Sequence, residues 1–536
     1  MKRTKNGKHA VQCGLCIIMM AFAIIATGQS TSGKKGASSG AVKPVKPGDL
    51  PAKTLTHQTP AQESVVIYGP YAPNVSSIRQ HECPEWFRDA KFGMFIDWGV
   101  YSVAGWAPKA EEGAMYPDWY LNSMMTSDVY RAYHVKTWGA NFMPDDFIPL
   151  FTAENYDPEW LVDLAREAGM KYVIPFSKHH DGFCLWPSSY TDRDAVDMGP
   201  RKDLVRPLTE ACNRNGLKFG FYFSVEEWRT PMIVNGEKKI RKWTSNVDEK
   251  LQPWDPATIK DGMSGKYFIE GDFFTDYIVP QAKEFINLYD PDILWFDGEW
   301  NTRMEDLHTP EIISYFLNKA EGRKDVAFND RNGRSRHKVG DFFCSEYHSV
   351  PNEMKLMHPW EENRGISQSF GYNREDTEEN VLTADEFIDL FTRTVSENGN
   401  LLLIVNLDGK GALPEIQERR LREIGKWLKV NGEAIYSSRP WLVTNQDDGK
   451  IRFTQSKDGR TVYAICTDFP EKELVLTSLY PDKNTKVTML GAEHIELEWK
   501  ILMKKRSHQY DLAIQIPESL YQNRKNDHSW VFKISL

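Results

Sequence analysis

One acidic residue stands out because it ends an otherwise apolar run: Asp297 in the segment LWFDGEW. A carboxylate in such a position is costly to remove from water unless it has partners or a chemical role. One interpretation is a strand-end aspartate that caps the following turn. The other is a nucleophile or general base, flanked by Trp295 and Trp300, whose rings suit contact with a sugar.

Two consecutive histidines, His179 and His180, occur in SKHHDGF at the end of another predicted strand. Adjacent histidines do not readily bind one metal ion, and no H-x-H or H-x-x-x-H spacing accompanies them, so we predict no metal site. As neutral donors and acceptors they suit sugar hydroxyl groups. Arg331 in FNDR ends a third apolar run and suits a bidentate contact with a carboxylate or with hydroxyls.

Candidate acids lie further along the chain: Glu346 in CSEYHSVP, and Glu361 with Glu362 in HPWEENRGISQSFGYN. A single glutamate is usually solvated surface, but these lie in an aromatic-rich stretch beyond a predicted strand. Retaining glycoside hydrolysis needs a carboxylate nucleophile and a carboxylic acid about 5–5.5 Å apart. The sequence therefore supplies candidates for both groups, while their separation depends on the fold.

Short apolar runs alternate with amphipathic helices over roughly 350 residues, which predicts parallel strands joined by helical crossovers. The clearest predicted strands span 92–99, 171–179, 218–225, 292–299, 325–330 and 401–406. An open doubly wound sheet is the competing architecture. Polar residues cluster where many of these strands end, which is typical of a (β/α)8 barrel. We therefore predict an α/β fold with a TIM-like barrel over residues 64–436.

The hydrophobic pattern changes from helical to alternating after a predicted helix at 421–432. Segments such as RFTQS, TVYAICT, ELVLTSL and WVFKISL then follow at short spacing, with turn residues between them. This pattern predicts a C-terminal antiparallel β-sandwich over residues 437–536.

The N-terminal residues 1–28 have the pattern of a secretory signal peptide, with a basic start, an apolar run over 13–26 and small residues at its end. The run is shorter than the about 20 apolar residues that a membrane span requires. Residues 29–63 contain almost no bulky apolar groups, which predicts a disordered linker. We expect an exported protein, periplasmic or secreted.

The 536-residue chain has a net charge of −9, which becomes −13 once the four positive charges of the predicted signal are lost. Such an acidic chain is a poor candidate for binding nucleic acid or anionic membranes. Five cysteines remain after the signal, and they are scattered with no C-x-x-C pair, which predicts neither a disulfide framework nor a zinc site. We expect no cofactor, and the oligomeric state stays open.

Several motifs closely resemble glycoside hydrolase family 29, the α-L-fucosidases. They are WFRDAKFGMFIDWGVYSV, YVIPFSKHHDGFCLW, GLKFGFYFSVEEW, LWFDGEW, NDR and WEENRGISQSFGYN. The resemblance runs from about Trp86 to Trp441, with the motifs in matching order and spacing. It implies a retaining mechanism without a metal, a fucose pocket at the barrel mouth, and a fucosylated oligosaccharide or glycoconjugate as substrate.

The resemblance also implies roles for single residues. Asp297 matches the nucleophile of the family, and Trp295 matches an aromatic residue of the pocket. His179 and His180 match a pair that contacts fucose hydroxyls, and Arg331 matches an arginine near the catalytic acid. The acid/base position varies within the family, and it matches either Glu346 or Glu361; we favour Glu346.

Three positions depart from the family pattern. Asp97 stands where the family nearly always has histidine, Asp118-Trp119 where Glu-Trp is usual, and Phe223 where Tyr or His is common. An ionised aspartate at position 97 only accepts hydrogen bonds, so it would read sugar hydroxyls differently. Pairing of Asp97 with a neighbouring cation such as Arg331 is the alternative. The same mechanism acting on an α-L-galactoside-like sugar, and a sugar-binding protein without turnover, are the competing functions.

Overall fold

The computed structural model describes residues 69–109, 114–243, 251–253, 266–347, 349–477, 479–504, 509–522 and 528–536. The predicted signal peptide at 1–28, the predicted linker at 29–63 and the predicted start of the barrel at 64 lie outside these described residues.

In the described part of the chain, twelve strands precede the C-terminal region. They are β1 (Phe92–Asp97), β2 (Tyr172–Lys178), β3 (Lys218–Ser224), β4 (Arg229–Val234), β5 (Glu237–Lys242), β6 (Leu251–Pro253), β7 (Ile269–Glu270), β8 (Ile293–Asp297), β9 (Ala327–Phe328), β10 (Phe343–Glu346), β11 (Trp360–Gly365) and β12 (Gly399–Asn406).

Eight of these strands form one parallel sheet in the order β10-β11-β12-β1-β2-β3-β8-β9. Each strand pairs with its neighbours in this order, so the first barrel strand, β1, pairs with the last, β12, as well as with β2. A parallel bridge between Asn329 and Phe342 joins the two outer strands. The sheet therefore closes, and the predicted TIM-like barrel is confirmed.

Helices precede the first barrel strand and lie between most of the others. They are α1 (Val75–Ile78), α2 (Glu85–Ala90), α3 (Tyr101–Ala104), α4 (Tyr120–Thr126), α5 (Asp128–Thr137), α6 (Pro158–Glu167), α7 (Val205–Asn215), α8 (Val279–Tyr289), α9 (Thr309–Ala320), α10 (Asn352–Lys355), α11 (Ala384–Ser396) and α12 (Glu415–Asn431). Between β9 and β10 the chain forms a loop instead of a helix, and this loop carries Arg331. Among the described helices, none has the length and apolar character needed to cross a membrane.

Side chains alternate between the barrel interior and the helical layer along each strand, as the period of two residues requires. Phe95, Phe176, Tyr222 and Trp295 pack together inside the barrel. Their neighbours in sequence face the helices; Phe221, for example, stacks on Phe285 of α8 at 3.7 Å between ring centroids. This alternation decides which residue at each strand end can face the barrel mouth.

A small sheet in the order β6-β5-β4-β7 follows β3, and its central pair β4 and β5 forms an antiparallel hairpin. The sequence pattern does not predict this hairpin. It is followed at once by Trp243, whose ring contacts that of Trp300 at 4.7 Å, just beyond β8.

The C-terminal region forms two antiparallel sheets with a shared apolar core, which confirms the predicted β-sandwich. The elements are β13 (Arg439–Gln446), β14 (Ile451–Gln455), β15 (Thr461–Cys466), β16 (Glu473–Thr477), β17 (Lys486–Met489), β18 (Trp499–Lys504), β19 (Gln509–Gln515), α13 (Glu518–Gln522) and β20 (Trp530–Ser535). Trp427 of α12 donates a hydrogen bond from Nε1 to the carbonyl of Ser529 at 2.8 Å, which ties the barrel to the sandwich.

Candidate active site

Asp297 is the last residue of β8, at the carboxyl end of the barrel. It has the same parity along the strand as Ile293 and Trp295, which pack inside the barrel, so its side chain also faces inward. That side chain is 15 % exposed and lines a cavity. The strand thus delivers a nearly buried carboxylate to the barrel mouth.

Four groups hold the carboxylate of Asp297. Oδ1 accepts hydrogen bonds from the Gly298 amide at 2.7 Å and from Arg331 Nη2 at 2.5 Å. Oδ2 accepts one from the Tyr222 hydroxyl at 2.9 Å and lies 3.3 Å from His180 Nε2. Burial alone would raise the pKa of Asp297, but the charge of Arg331 and the bonds from His180 and Tyr222 hold it well below its usual range. The carboxylate is therefore ionised.

The guanidinium of Arg331 binds three carboxylates at once. Nη2 donates to Asp297, Nη1 donates to Glu346 Oε1, and Nε donates to Glu299 Oε2 at 3.3 Å. The Arg331 side chain is only 7 % exposed, so these contacts act in a medium that screens them little. One buried cation thus holds Asp297 and Glu346 next to each other.

The two candidate acids occupy different depths of the barrel. Glu346 ends β10, lines the same cavity as Asp297, and its side chain is 32 % exposed. Glu361 is the second residue of β11 and is fully buried. Asn363, two residues further along β11, faces the same way and does line the cavity. Glu361 therefore lies deeper in the barrel, below the cavity.

The buried carboxyl of Glu361 has two partners inside the barrel. Tyr172 donates from its hydroxyl to Oε2 at 2.5 Å, and Trp295 donates from Nε1 to Oε1 at 3.0 Å. Burial raises the pKa of Glu361 to about 7, although both hydrogen bonds act to lower it. The contact with Trp295 makes Glu361 a support for a cavity wall.

His179 and His180 follow β2 and are both buried. His180 contacts the Glu226 carbonyl through Nδ1 at 2.9 Å and the Asp297 carboxylate through Nε2 at 3.3 Å. His179 lines the cavity, and its Nδ1 has no hydrogen-bond partner among the described residues. Burial and the neighbouring His180 hold the pKa of His179 well below its usual range, so this imidazole is neutral.

The cavity at the barrel mouth has a volume of about 420 Å³. Its lining combines charged groups with aromatic rings: Phe95, Tyr116, Asp118, Trp119, Ser123, Tyr130, Phe176, His179, Tyr222, Trp295, Asp297, Trp300, Arg331, Glu346, Asn363 and Phe370. Apolar walls with a few convergent polar groups are typical of small-molecule sites, and aromatic rings suit the C–H faces of a sugar. The arrangement can bind one polar ring and present two carboxylates to it.

Comparison with known proteins identifies the family. Residues 58–433 match the family model Alpha-L-fucosidase, and residues 445–535 match the model Alpha-L-fucosidase C-terminal domain. The chain belongs to the α-L-fucosidase family. Tissue alpha-L-fucosidase of Rattus norvegicus is 32 % identical over 438 residues, which cover 80 % of this chain and 86 % of the relative. The tissue alpha-L-fucosidase of Homo sapiens is 31 % identical over 473 residues, which cover 87 % of this chain and 92 % of the relative.

Solved structures of α-L-fucosidases share the fold. The Thermotoga maritima α-fucosidase, solved in complex with a mechanism-based inhibitor, superimposes with a TM-score of 0.70 at 35 % identity. The match covers 87 % of this chain and all of that one. The resemblance drawn from the motifs, and the barrel with its C-terminal β-domain, are thereby confirmed.

Two of the positions that depart from the family pattern do not reach the cavity. Phe223 packs against Phe221 and under the ammonium of Lys178, 4.2 Å from its ring centroid, because its neighbour Tyr222 takes the inward position. Asp97 is fully buried at the end of β1 and does not line the cavity. The structure therefore does not bring these two predicted sugar contacts to the site.

Asp97 also has a different partner from the one considered in the sequence. Its Oδ1 accepts a hydrogen bond from the Tyr101 hydroxyl at 2.7 Å, while Arg331 is engaged by other carboxylates. Burial raises the pKa of Asp97 to about 7, although the bonds from Tyr101 and the Gly371 amide lower it. The assumption of a fully ionised Asp97 therefore does not hold near neutral pH. The Tyr101 ring also contacts the His179 ring edge-on, with centroids 5.2 Å apart.

Asp118 and Trp119, the remaining departure, do line the cavity. They lie on a 3₁₀ turn, Pro117–Trp119. Asp118 Oδ2 lies 3.7 Å from His179 Nε2, and its Oδ1 has no hydrogen-bond partner among the described residues. Burial, followed by the charge of Asp97, raises the pKa of Asp118 well above its usual range. Trp119 packs on Trp300 at 5.7 Å.

Sequence analysis missed several residues of the site. Tyr222 contacts Asp297 directly, and its inward parity on β3 was available from the alternating pattern. Glu299, two residues after Asp297, accepts a hydrogen bond from Arg331 Nε, and burial raises the pKa of Glu299. Tyr116 lines the cavity from a loop position outside the quoted motifs, and Asn363 lines it from within WEENRGISQSFGYN, where only the glutamates were singled out.

No cluster of three or more His, Cys, Asp or Glu side chains suited to a metal ion occurs in the part of the chain that the structure describes. The cysteines Cys83, Cys184, Cys212, Cys344 and Cys466 are free thiols. The expectation that the chemistry needs no metal remains a prediction.

Proposed function

We propose that, in this retaining α-L-fucosidase, Asp297 is the nucleophile and Glu346 is the general acid and base. The observation that carries the proposal is the guanidinium of Arg331, which binds both carboxylates at the wall of one cavity. Two carboxylates that share one guanidinium favour the short separation of about 5–5.5 Å used in double displacement over the wider one that admits a water between them.

In the first step an oxygen of Asp297 attacks the anomeric carbon of a terminal fucoside. Protonated Glu346 gives its proton to the departing glycosidic oxygen, the bond to the aglycone breaks, and a fucosyl ester of Asp297 remains. The low pKa of Asp297 supports this role, because the nucleophile must be ionised.

In the second step Glu346 removes a proton from water, which attacks the same carbon and frees Asp297. The charges around Arg331 support this sequence. Asp297 loses its negative charge when the ester forms, and Glu346 gains one in the same step. The buried cation therefore faces the same total charge in both states, and no lone charge is left in a poorly solvated site.

The choice of Glu346 over Glu361 rests on access. Glu346 is 32 % exposed in the cavity, whereas Glu361 is fully buried between Tyr172 and Trp295. A general acid must come within hydrogen-bond distance of the oxygen that it protonates. For Glu361 to do so, Trp295 would have to leave the wall that it forms.

Unpaired polar atoms in the cavity supply the contacts for sugar hydroxyls. Among the described residues, Asp118 Oδ1 and His179 Nδ1 are buried without hydrogen-bond partners. Such atoms cost free energy until a ligand satisfies them, at about 1–3 kcal/mol each. The neutral imidazole of His179 can both accept and donate, and the ring of Trp119 offers an apolar face. A fucosylated oligosaccharide or glycoconjugate is the proposed substrate class.

The test is hydrolysis of an aryl α-L-fucoside by the purified protein, with the first-formed sugar observed by proton NMR. We expect α-L-fucose before mutarotation, which is the retained configuration. An aryl α-L-galactoside measured in parallel should be the poorer substrate. First-formed β-L-fucose would refute double displacement, and faster hydrolysis of the galactoside would refute fucose as the preferred sugar. No turnover of either substrate would favour a sugar-binding role.

We also propose that the protein is exported, to the periplasm or to the medium, after removal of a signal peptide at residues 1–28. The support is the basic start and the apolar run of this segment. Fractionation of the native host, followed by N-terminal sequencing, should find a mature chain without that segment outside the cytoplasm. A cytoplasmic chain that still begins at Met1 would contradict the proposal.

A further inference from the structure

Tyr116 is an aromatic residue of the cavity wall that the chemistry described above does not use. It stands between Met115 and the turn at Pro117–Trp119. Backbone hydrogen bonds hold Met115 to the segment around Phe370: the Met115 amide donates to the Gln368 carbonyl and the Phe370 amide donates to the Met115 carbonyl, both at 2.8 Å. The position of Tyr116 is therefore fixed by the fold, although the residue is 37 % exposed.

The ring of Tyr116 belongs to a group of three aromatic side chains beside Glu346. It packs on Phe370 with ring centroids 5.4 Å apart, and Phe370 packs on Tyr347 at 5.9 Å. Tyr347 directly follows Glu346 in the chain. We call Tyr116, Phe370 and Tyr347 the aromatic ledge. Tyr116 and Phe370 both line the cavity.

The charge of Glu346 affects the pKa of Tyr116. Burial is the main cause that raises the pKa of the Tyr116 hydroxyl, and the carboxylate of Glu346 is the next. This agrees with the shared cavity lining and indicates that the two side chains are near neighbours. The part of the Tyr116 ring that stays exposed therefore lies beside the general acid, where a ligand in the cavity can cover it.

The chemistry determines what lies at this wall. A general acid contacts the glycosidic oxygen, so the first atoms of the leaving group must be next to Glu346. Asp297 attacks from the opposite face of the anomeric carbon, and the fucose ring lies between them. The part of the cavity beside Glu346 that the fucose does not fill is therefore the place of the leaving group.

We propose that the aromatic ledge is a binding subsite for the leaving-group sugar, with the Tyr116 ring stacked on the face of a pyranose. The proposal rests on the proposed function and extends it, because it makes this enzyme selective for fucosides of a second sugar over fucosides of small leaving groups. A flat amphipathic ring offers its face to the C–H groups of a pyranose, which is a contact that a small leaving group cannot make.

The test compares two substrates that share the fucosyl group and differ in the leaving group. One is a fucosyl disaccharide with a hexopyranose leaving group, and the other is α-L-fucosyl fluoride, which has no second sugar. The ratio of their kcat/KM values should fall about two- to tenfold in Tyr116→Ala, because an aromatic contact contributes that much to transition-state binding. Tyr116→Phe keeps the ring and should keep the ratio. Tyr480→Ala, at a 62 % exposed tyrosine of the C-terminal sandwich, is the matched control and should change neither value.

A second readout does not depend on proton transfer to the leaving group. During turnover of the fluoride, added free hexose should compete with water for the fucosyl intermediate, and Tyr116→Ala should lower the fraction of transfer product by a similar factor. An unchanged substrate ratio and transfer fraction in Tyr116→Ala would overturn the subsite, as would an equal loss in Tyr116→Phe. A wild-type protein that leaves the fluoride intact would overturn the proposed function itself.

Discussion

Glutamine in place of each candidate acid should have different effects: it should lower activity at Glu346 and change stability at Glu361. Glutamine has nearly the shape of glutamic acid but cannot give up a proton to a leaving group. At Glu346, Gln should lower kcat/KM by about 10²- to 10⁴-fold on a fucosyl disaccharide, whose departing oxygen needs protonation. On an aryl fucoside with an acidic phenol the loss should be far smaller, because that oxygen leaves as an anion.

At Glu361 the same substitution should act on stability instead. The amide oxygen of Gln can accept from Trp295 Nε1 and its NH₂ can donate to the Tyr172 hydroxyl oxygen, so both contacts are kept. We expect the leaving-group dependence of Glu361→Gln to match the wild type.

The pH dependence of stability gives the size of the effect that Glu361 has on the free energy of unfolding. Its pKa rises from an ordinary 4.5 to about 7 in the folded state. A raised folded-state pKa contributes stability that is complete below pH about 4.5 and is lost as pH rises through about 7. The difference of about 2.5 pH units corresponds to about 3 kcal/mol, at about 1.4 kcal/mol per unit. Glu361→Gln does not titrate, so it should unfold at a higher temperature than the wild type at pH 8 and not at pH 4.5.

The assay measures kcat/KM on both substrates and thermal unfolding at both pH values for the wild type and the two variants. The reasoning is refuted if Glu361→Gln loses activity on the disaccharide and keeps it on the aryl fucoside while Glu346→Gln does not. It is also refuted if the pH dependence of unfolding is the same in Glu361→Gln as in the wild type.

Three further predictions concern other parts of the site. Arg331→Gln removes the charge that holds down the pKa of Asp297. The acid limb of the kcat/KM profile should therefore move to higher pH, and the maximum should fall about ten- to a hundredfold. An acid limb that stays in place would contradict the pairing of Arg331 with Asp297. Activity should be complete in the presence of a chelator, and a loss that a divalent ion restores would refute the metal-free mechanism. Asp97→Asn should raise the unfolding temperature at pH 8 but not at pH 3.5, because burial raises the pKa of Asp97 to about 7. A change of more than about tenfold in the rate of aryl fucoside hydrolysis would show that Asp97 contacts the sugar after all.

The architecture could be predicted because its signals are local. Apolar runs with polar ends marked most barrel strands, and alternation marked the sandwich. The two-residue strand β9, Ala327–Phe328, carries almost no pattern of its own, and the loop that replaces the helix after it gave no signal. The hairpin of β4 and β5 was also missed, since β5 has the sequence EKKIRK, in which Ile240 is the single apolar residue.

The site could be predicted only in part, because a motif names residue types and not their depth or direction. Asp297, Arg331 and Glu346 meet because three strand or loop positions reach one barrel mouth, as their place after apolar runs suggested. Glu361 carries an equally strong motif but lies near the start of β11, which only the register of the sheet reveals. Phe223 could have been excluded from the sequence, because an inward Tyr222 forces its neighbour outward.

The most direct test of the account is to identify the residue that carries the sugar during turnover. A 2-fluoro-fucosyl fluoride should form the ester rapidly, because fluoride leaves easily, and should release it slowly, because the fluorine at C2 disfavours the charged transition state of the second step. Mass spectrometry of the digested protein should find one added fluorofucosyl group on the peptide that contains Asp297, and none in Asp297→Asn. A label on Glu299 or Glu346, or turnover of this reagent by Asp297→Asn, would contradict the assignment of Asp297 as the nucleophile.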